Sequence, residues 1–125
     1  MEDLLKSIEL EFTILEFYEG YVISVMREGV VFGKDRIHDL VQICSNYYQT
    51  SKFVYISNRL HNYNVDPTIY LNLENVGNLA GIAIVSQKAS SINMANFEKN
   101  FSKVPFSVFL EMEEARKWVG ELLNK

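Results

Sequence analysis

The sequence predicts an α/β fold: a mixed sheet that opens with an antiparallel hairpin, continues in parallel strands and carries about four helices. Three observations predict it. The first residues alternate apolar and polar with the period of a half-buried strand, and the remainder of the chain switches between short apolar runs and helical stripes. Glycine, proline, serine and aspartate stand at the joints between these segments.

Taken in order, Ser7 to Thr13 reads as one strand, with Ile8, Leu10, Phe12 and Ile14 on the core face and Ser7, Glu9, Glu11 and Thr13 on the wet face. Glu19-Gly20 supplies a turn, and Tyr21 to Met26 returns as the second arm of a hairpin. A brief extended piece, Val30 to Phe32, follows Gly29. Beyond Gly33 the period becomes helical. Ile37, Leu40, Val41, Cys44 and Tyr48 share one stripe, Asp35 stands where an N-cap is expected, and His38 falls off the stripe toward solvent.

Phe53 to Ser57 is continuously apolar, as in a strand covered on both faces. Asp66-Pro67 starts a second helix, because aspartate accepts first-turn N–H groups and proline suits the first helical position. Ile69, Leu73 and Val76 form its buried stripe, with Gly77 at its C′ position. Leu79 to Val85 is again a central-strand pattern. The next helix is expected to be capped by Ser90 or Ser91, to turn Met94, Phe97 and Phe101 inward, and to end before Pro105. Phe106 to Leu110 is the last strand, and Met112 to Leu123 the closing helix, with Ala115, Trp118, Val119 and Leu122 at core spacing. Alternation of strand and helix requires right-handed crossovers and a largely parallel sheet. No linker or repeat divides residues 1–125, so a single domain is expected.

Composition narrows the functional classes. Nearly half the residues are apolar and 22% are charged, a balance that supports a packed core rather than disorder. A net charge of -4 gives no general attraction to phosphate backbones or anionic headgroups, so nucleic acid is not an expected partner. The start, MEDLLKSIEL, lacks the basic and apolar regions of a secretory signal, and no apolar run is long enough to span a bilayer. The expected location is the cytoplasm. Cys44 is the lone cysteine and lies on a core stripe, which makes it a packed thiol and leaves no disulfide or multi-cysteine metal site.

Three passages carry a family resemblance. EGVVFGKDRIHDL, NRLHNYNVDPTIYL and PFSVFLEMEEARKWV resemble the short strand with first helix, the central loop with second helix, and the final strand with closing helix of the STAS (anti-sigma-factor-antagonist) fold. The nearest likeness is to its SpoIIAA-like relatives, which are grouped with CRAL-TRIO lipid carriers. The resemblance implies a STAS-like domain over the whole chain and a regulatory role through a protein partner. In the regulatory members, a serine directly after an aspartate at the second helix start is phosphorylated. Asp66 matches that aspartate, but Pro67 stands in place of the serine; Thr68, one residue later, is the nearest hydroxyl able to accept a phosphate.

No catalytic constellation is present. There is no H-E-x-x-H pair, G-x-S-x-G elbow, Walker loop or G-x-G-x-x-G fingerprint, and no cofactor is expected. Glu113 and Glu114 fall in a first helical turn, where they complement the macrodipole. The candidate site is the carboxyl end of the parallel strands, where three loops converge. It contains Asn58, Arg59, His61 and Tyr63 from the first loop, Asp66 and Thr68 from the following helix start, and Lys88 and Ser90 from the second loop. Arg59, Lys88 and a helix N-terminus are a chemistry suited to a carboxylate or phosphate. The asparagines and serines are also what ordinary turns and caps require. Tyr47, Tyr48, Tyr55, Tyr63 and Tyr70 cluster in the middle third, as core and rim or as an apolar lining. The expected function is a non-enzymatic protein-interaction module engaging a partner through Asn58 to Asn75. The alternative is a carrier or sensor of a small apolar or anionic ligand. A homodimer through a helical face is a further expectation.

Overall fold

The computed structural model describes residues 3–124. Met1 and Glu2, on which part of the amino-terminal reading rests, lie outside the described residues, as does Lys125. The main sheet has six strands: β1 (Lys6–Glu9), β2 (Thr13–Tyr18), β3 (Tyr21–Met26), β5 (Phe53–Asn58), β7 (Leu79–Val85) and β8 (Phe106–Phe109), in the spatial order β1-β2-β3-β5-β7-β8. The first three are antiparallel and the last three add in parallel to β3. A second, two-stranded parallel ribbon joins β4 (Val31–Phe32) to β6 (Asn64–Val65). Among the described residues there are three α-helices, α1 (Lys34–Tyr48), α2 (Ala89–Glu98) and α3 (Met112–Leu123).

From β3 onward the strands are laid down in one direction across the sheet, so right-handed crossovers place their connections on one face. That face holds the larger core, with Leu15, Phe17, Val22 and Met26 from the sheet meeting Leu40 and Cys44 of α1, Ile69, Tyr70 and Leu73, and Ala95 of α2. The last helix, α3, crosses to the opposite face. There Ala115 and Val119 pack on Tyr21, Ile23, Val54, Ile56 and Ala83, with Trp118 and Leu122 alongside. The aromatic set proves to be mainly core: Tyr48 is buried and donates to the carbonyl of Tyr18 at 2.7 Å, and Tyr47 packs on Phe17 with ring centroids 4.2 Å apart.

Local expectations at four elements are corrected. The single strand from Ser7 to Thr13 is two strands joined by a turn at residues 10–12, closed by Leu10 N–H to the Thr13 carbonyl at 2.8 Å. The apolar/polar alternation runs through this turn unbroken, so periodicity could not reveal it. Past the turn the faces change: Phe12 and Thr13 are both buried, and Thr13 belongs to the core because its hydroxyl meets that of Ser24 at 2.7 Å. The N-cap of α1 is Gly33, with Asp35 inside the first turn. The second helical segment takes the tighter 3-10 form in two pieces, Pro67–Tyr70 and Leu73–Asn75, because Asn72 between them is left-handed at φ 75°. Gly77 is not in the left-handed C′ conformation. In α2, Lys88 is the N-cap, and Ser90 and Ser91 sit within the first turn. Its inward residues are Ala95 and Glu98; Met94 and Phe97 face solvent, 43% and 59% exposed.

Gly81 in the middle of β7 lies where α3 comes close to the sheet. A Cβ there would lie 2.6 Å from Leu122 Cδ1 and 3.1 Å from Trp118 Cη2. Gly81→Ala is expected to destabilise the protein by about 1–3 kcal/mol through overpacking. Combined with Leu122→Ala, the two changes should cost less than their sum in urea unfolding; additive losses would show that the close approach does not matter.

Candidate functional site

The carboxyl ends of β5, β7 and β8 lie along one edge of the sheet. After β7 the chain turns into α2 on one face, and after β8 into α3 on the other. Loops that diverge in this way leave a crevice between them, the usual place for a binding site in an open α/β sheet. The crevice encloses about 380 Å³ and is lined by Asn58, Leu60, Gln87, Lys88, Leu110 and Glu111, among others. Leu60 and Leu110 are each more than half exposed there. Gln87 donates to Glu111 Oε1 at 2.9 Å across it. On the other side of the α2 N-terminus, a second hollow of about 370 Å³ is lined by Glu28, His61, Tyr63, Ser90 and Met94.

Arg59 lies between the two hollows and lines both. Only 6% of it is exposed, because its guanidinium is directed inward to Glu98. Nη1 donates to Oε2 at 3.0 Å and Nη2 to Oε1 at 2.5 Å, a bidentate pair. Tyr70, buried in the 3-10 turn, donates its hydroxyl to the same Oε1 at 2.7 Å. Tyr63 lies under the guanidinium, 5.6 Å from its ring centroid, and shares a hydrogen bond with Ser57 at 3.0 Å. Burial acts most strongly, to lower the Arg59 pKa, but the hydrogen bonds to Glu98 together with the Coulombic effects of Tyr63, Tyr70 and Glu98 outweigh it and hold the guanidinium above its ordinary range. Burial, followed by the adjacent carboxylate, keeps the Tyr70 hydroxyl protonated far beyond its ordinary value. The group is a closed internal network, with only Arg59 Nε unpaired.

The expected site therefore divides. Asn58, His61, Tyr63, Lys88 and Ser90 border the two hollows, with His61, Lys88 and Ser90 exposed and Lys88 Nζ 3.4 Å from Asn62 Oδ1. Arg59 is corrected from a surface anion ligand to a buried structural cation whose carboxylate comes from its own chain. Asp66 and Thr68 belong elsewhere. Asp66 Oδ1 accepts from the Thr68 amide at 3.0 Å and from its hydroxyl at 2.7 Å, and these two bonds lower the Asp66 pKa. Thr68 instead borders a hollow beside α1 with Lys34 and His38. Sequence reasoning missed Glu98, Leu60 and Leu110. A glutamate on an otherwise uncharged helix was the one available signal for the first.

Cys44 offers no nucleophile: it is buried among the α1 core residues, and desolvation pushes its pKa up to about 12. Among the described residues, no three His, Cys, Asp or Glu side chains gather to hold a metal ion, and no helix is long and apolar enough to cross a membrane.

No family model matches the sequence, and no curated protein matches it. Among solved structures, the chain is similar to an uncharacterised protein of the DUF3478 family with a SpoIIAA-like fold from Shewanella loihica PV-4. The TM-score is 0.56 with 10% sequence identity, over 95% of each chain. The SpoIIAA-like resemblance read from the sequence is thus borne out at the level of the fold.

Glu98→Ala leaves a buried guanidinium without its carboxylate and is expected to cost about 3–5 kcal/mol in chemical denaturation. Arg59→Met combined with Glu98→Leu should recover most of that loss; an undiminished deficit would mean that packing, not charge, holds the pair. For Cys44, the folded pKa lies above its ordinary 9.0, so its protonation leaves stability unchanged below pH 9. Stability should then fall between pH 9 and about 12, as only the unfolded chain readily loses the proton. Comparison of alkaline unfolding midpoints for the protein and Cys44→Ala, whose curve should be flatter in this window, checks the sign.

Proposed function

We propose that this protein, built on a SpoIIAA-like fold, is a non-enzymatic regulatory module of the cytoplasm that recognises a protein partner at the carboxyl edge of its parallel strands. The observation that carries the reading is the exposure of Leu60 and Leu110 on the crevice where α2 and α3 diverge. Apolar side chains on a rim of glutamine, lysine and glutamate have the make-up of a protein contact, with an apolar centre and a polar border. A reaction would need a nucleophile, a base and a group to stabilise developing charge in mutual reach. Here the one cysteine is buried and protonated, and the arginine is neutralised by Glu98. The apolar-carrier alternative has less support. Small-molecule sites occupy roughly 300 Å³ or more, whereas the apolar void between α1 and the 3-10 segment admits about 20 Å³.

Photo-crosslinking tests the proposal. A photoreactive residue at Gln87, exposed in the crevice, should give a discrete protein adduct in cells of the source organism, while the same residue at Lys6 on β1 should not. Leu60→Ser with Leu110→Ser should reduce that adduct by about tenfold, the loss expected of central apolar anchors. Absence of any protein adduct at position 87, or one indifferent to both leucines, would overturn the reading.

A further inference from the structure

Helix α2 is built inside out. A helix lying on a sheet normally buries its apolar stripe and exposes its charges. In α2 the buried positions are Ala95 and Glu98, while Met94 and Phe97, three residues apart on one stripe, face solvent. Phe97 leans on Phe101, with centroids 5.4 Å apart in an edge-to-face arrangement. Ser90, Asn93, Asn96 and Asn100 complete the outer face without a charge. The charges stand at its ends, and they share one sign. The chain as a whole has 16 acids and 12 bases, yet residues 87–104 carry Lys88, Lys99 and Lys103 against a single acid, Glu98, which is buried and paired with Arg59. All three lysines are exposed. Two carboxylates outside the helix stand near its first turn: Glu28 accepts the Asn62 amide at 3.1 Å on the rim of one hollow, and Glu111 accepts from Gln87 at 2.9 Å beside Lys88 in the other.

From this arrangement we infer that the outer face of α2 is a docking surface for an acidic amphipathic segment of another protein. Its apolar side chains would cover Met94 and Phe97, and its carboxylates would meet the flanking lysines. The inference rests on the reading of the protein as an interaction module and adds a second contact surface, beside the crevice, with its chemistry. Apolar anchors fix the segment, and the lysines select its charge and speed its approach. A second copy of this chain fits poorly, since two such faces would oppose lysine to lysine. Burial of Glu98 is what makes the surface: it removes the one negative charge from α2 and rotates the apolar stripe outward.

Fluorescence anisotropy with the full chain tests this. Two labelled helical peptides share a leucine stripe, one flanked by glutamates and one by lysines; vesicles of phosphatidylserine in phosphatidylcholine are a third probe. The glutamate peptide should bind, with the lysine peptide and the vesicles at least about tenfold weaker. Met94→Ala with Phe97→Ala should weaken the glutamate peptide by about tenfold, and since alanine favours helix, an unchanged thermal melt will show α2 intact. Lys99→Glu with Lys103→Glu should reverse the peptide preference. Equal binding of both peptides, preferential vesicle binding, self-association through α2 in light scattering, or indifference to these variants would overturn the inference. A partner adduct at Gln87 with no binding of the acidic peptide would defeat this surface alone. Acidic-peptide binding without any such adduct would defeat the crevice reading alone.

Discussion

The arrangement of the upper edge of this molecule depends on one buried ion pair. Arg59 leaves the carboxyl end of β5, Glu98 ends α2, and Tyr70 belongs to the 3-10 turn between β6 and β7; the three meet at one carboxylate. Arg59 and Tyr70 come from the β5–β7 connection and Glu98 from the β7–β8 connection, so the network fixes the two connections against each other. A hydrophobic stripe would hold α2 by area, with latitude in rotation. A bidentate guanidinium holds it by geometry, and the orientation it imposes is the one that exposes Met94 and Phe97.

Such a pair is a weak source of net stability, because removing two charges from water offsets most of their attraction. Its effect is better described as specificity of arrangement. With only Ala95 and Glu98 fully buried, α2 contributes little apolar area of its own, and without the pair it would be expected to roll its methionine and phenylalanine inward. The same economy of polar contacts occurs at the C-terminus of α1. There buried Asn78 donates to the carbonyls of Ser45 and Gln49 at 3.2 and 2.8 Å and supplies partners that the helix end lacks.

The site edge combines features that are individually modest. Divergence of α2 and α3 to opposite faces creates the crevice, and the loops leave Leu60 and Leu110 on its rim. The positive residues that would make it an anion site are divided: Arg59 is neutralised internally, while Lys88 is solvated beside Asn62. Asp66 and Thr68 are joined to each other, and Thr68 borders the hollow beside α1 instead. The surface is therefore defined by shape and apolar exposure more than by charge.

Local chemistry was legible from the residues themselves. The Glu19-Gly20 hairpin turn, the buried run of β5, the aspartate cap before Pro67 and the bounds of α3 follow from φ preferences, side-chain caps and hydrophobic period, which act within a few residues. So does the SpoIIAA-like order of strands and helices. Only the tertiary structure decided which face of α2 is buried, that Arg59 belongs to the interior, and that the first strand is two. Each of these turns on a partner distant in sequence: Glu98 lies 39 residues from Arg59, and Thr13 needs Ser24 across the sheet. Period and propensity describe what a segment prefers alone, and a buried charge prefers nothing until the chain brings it a counter-charge.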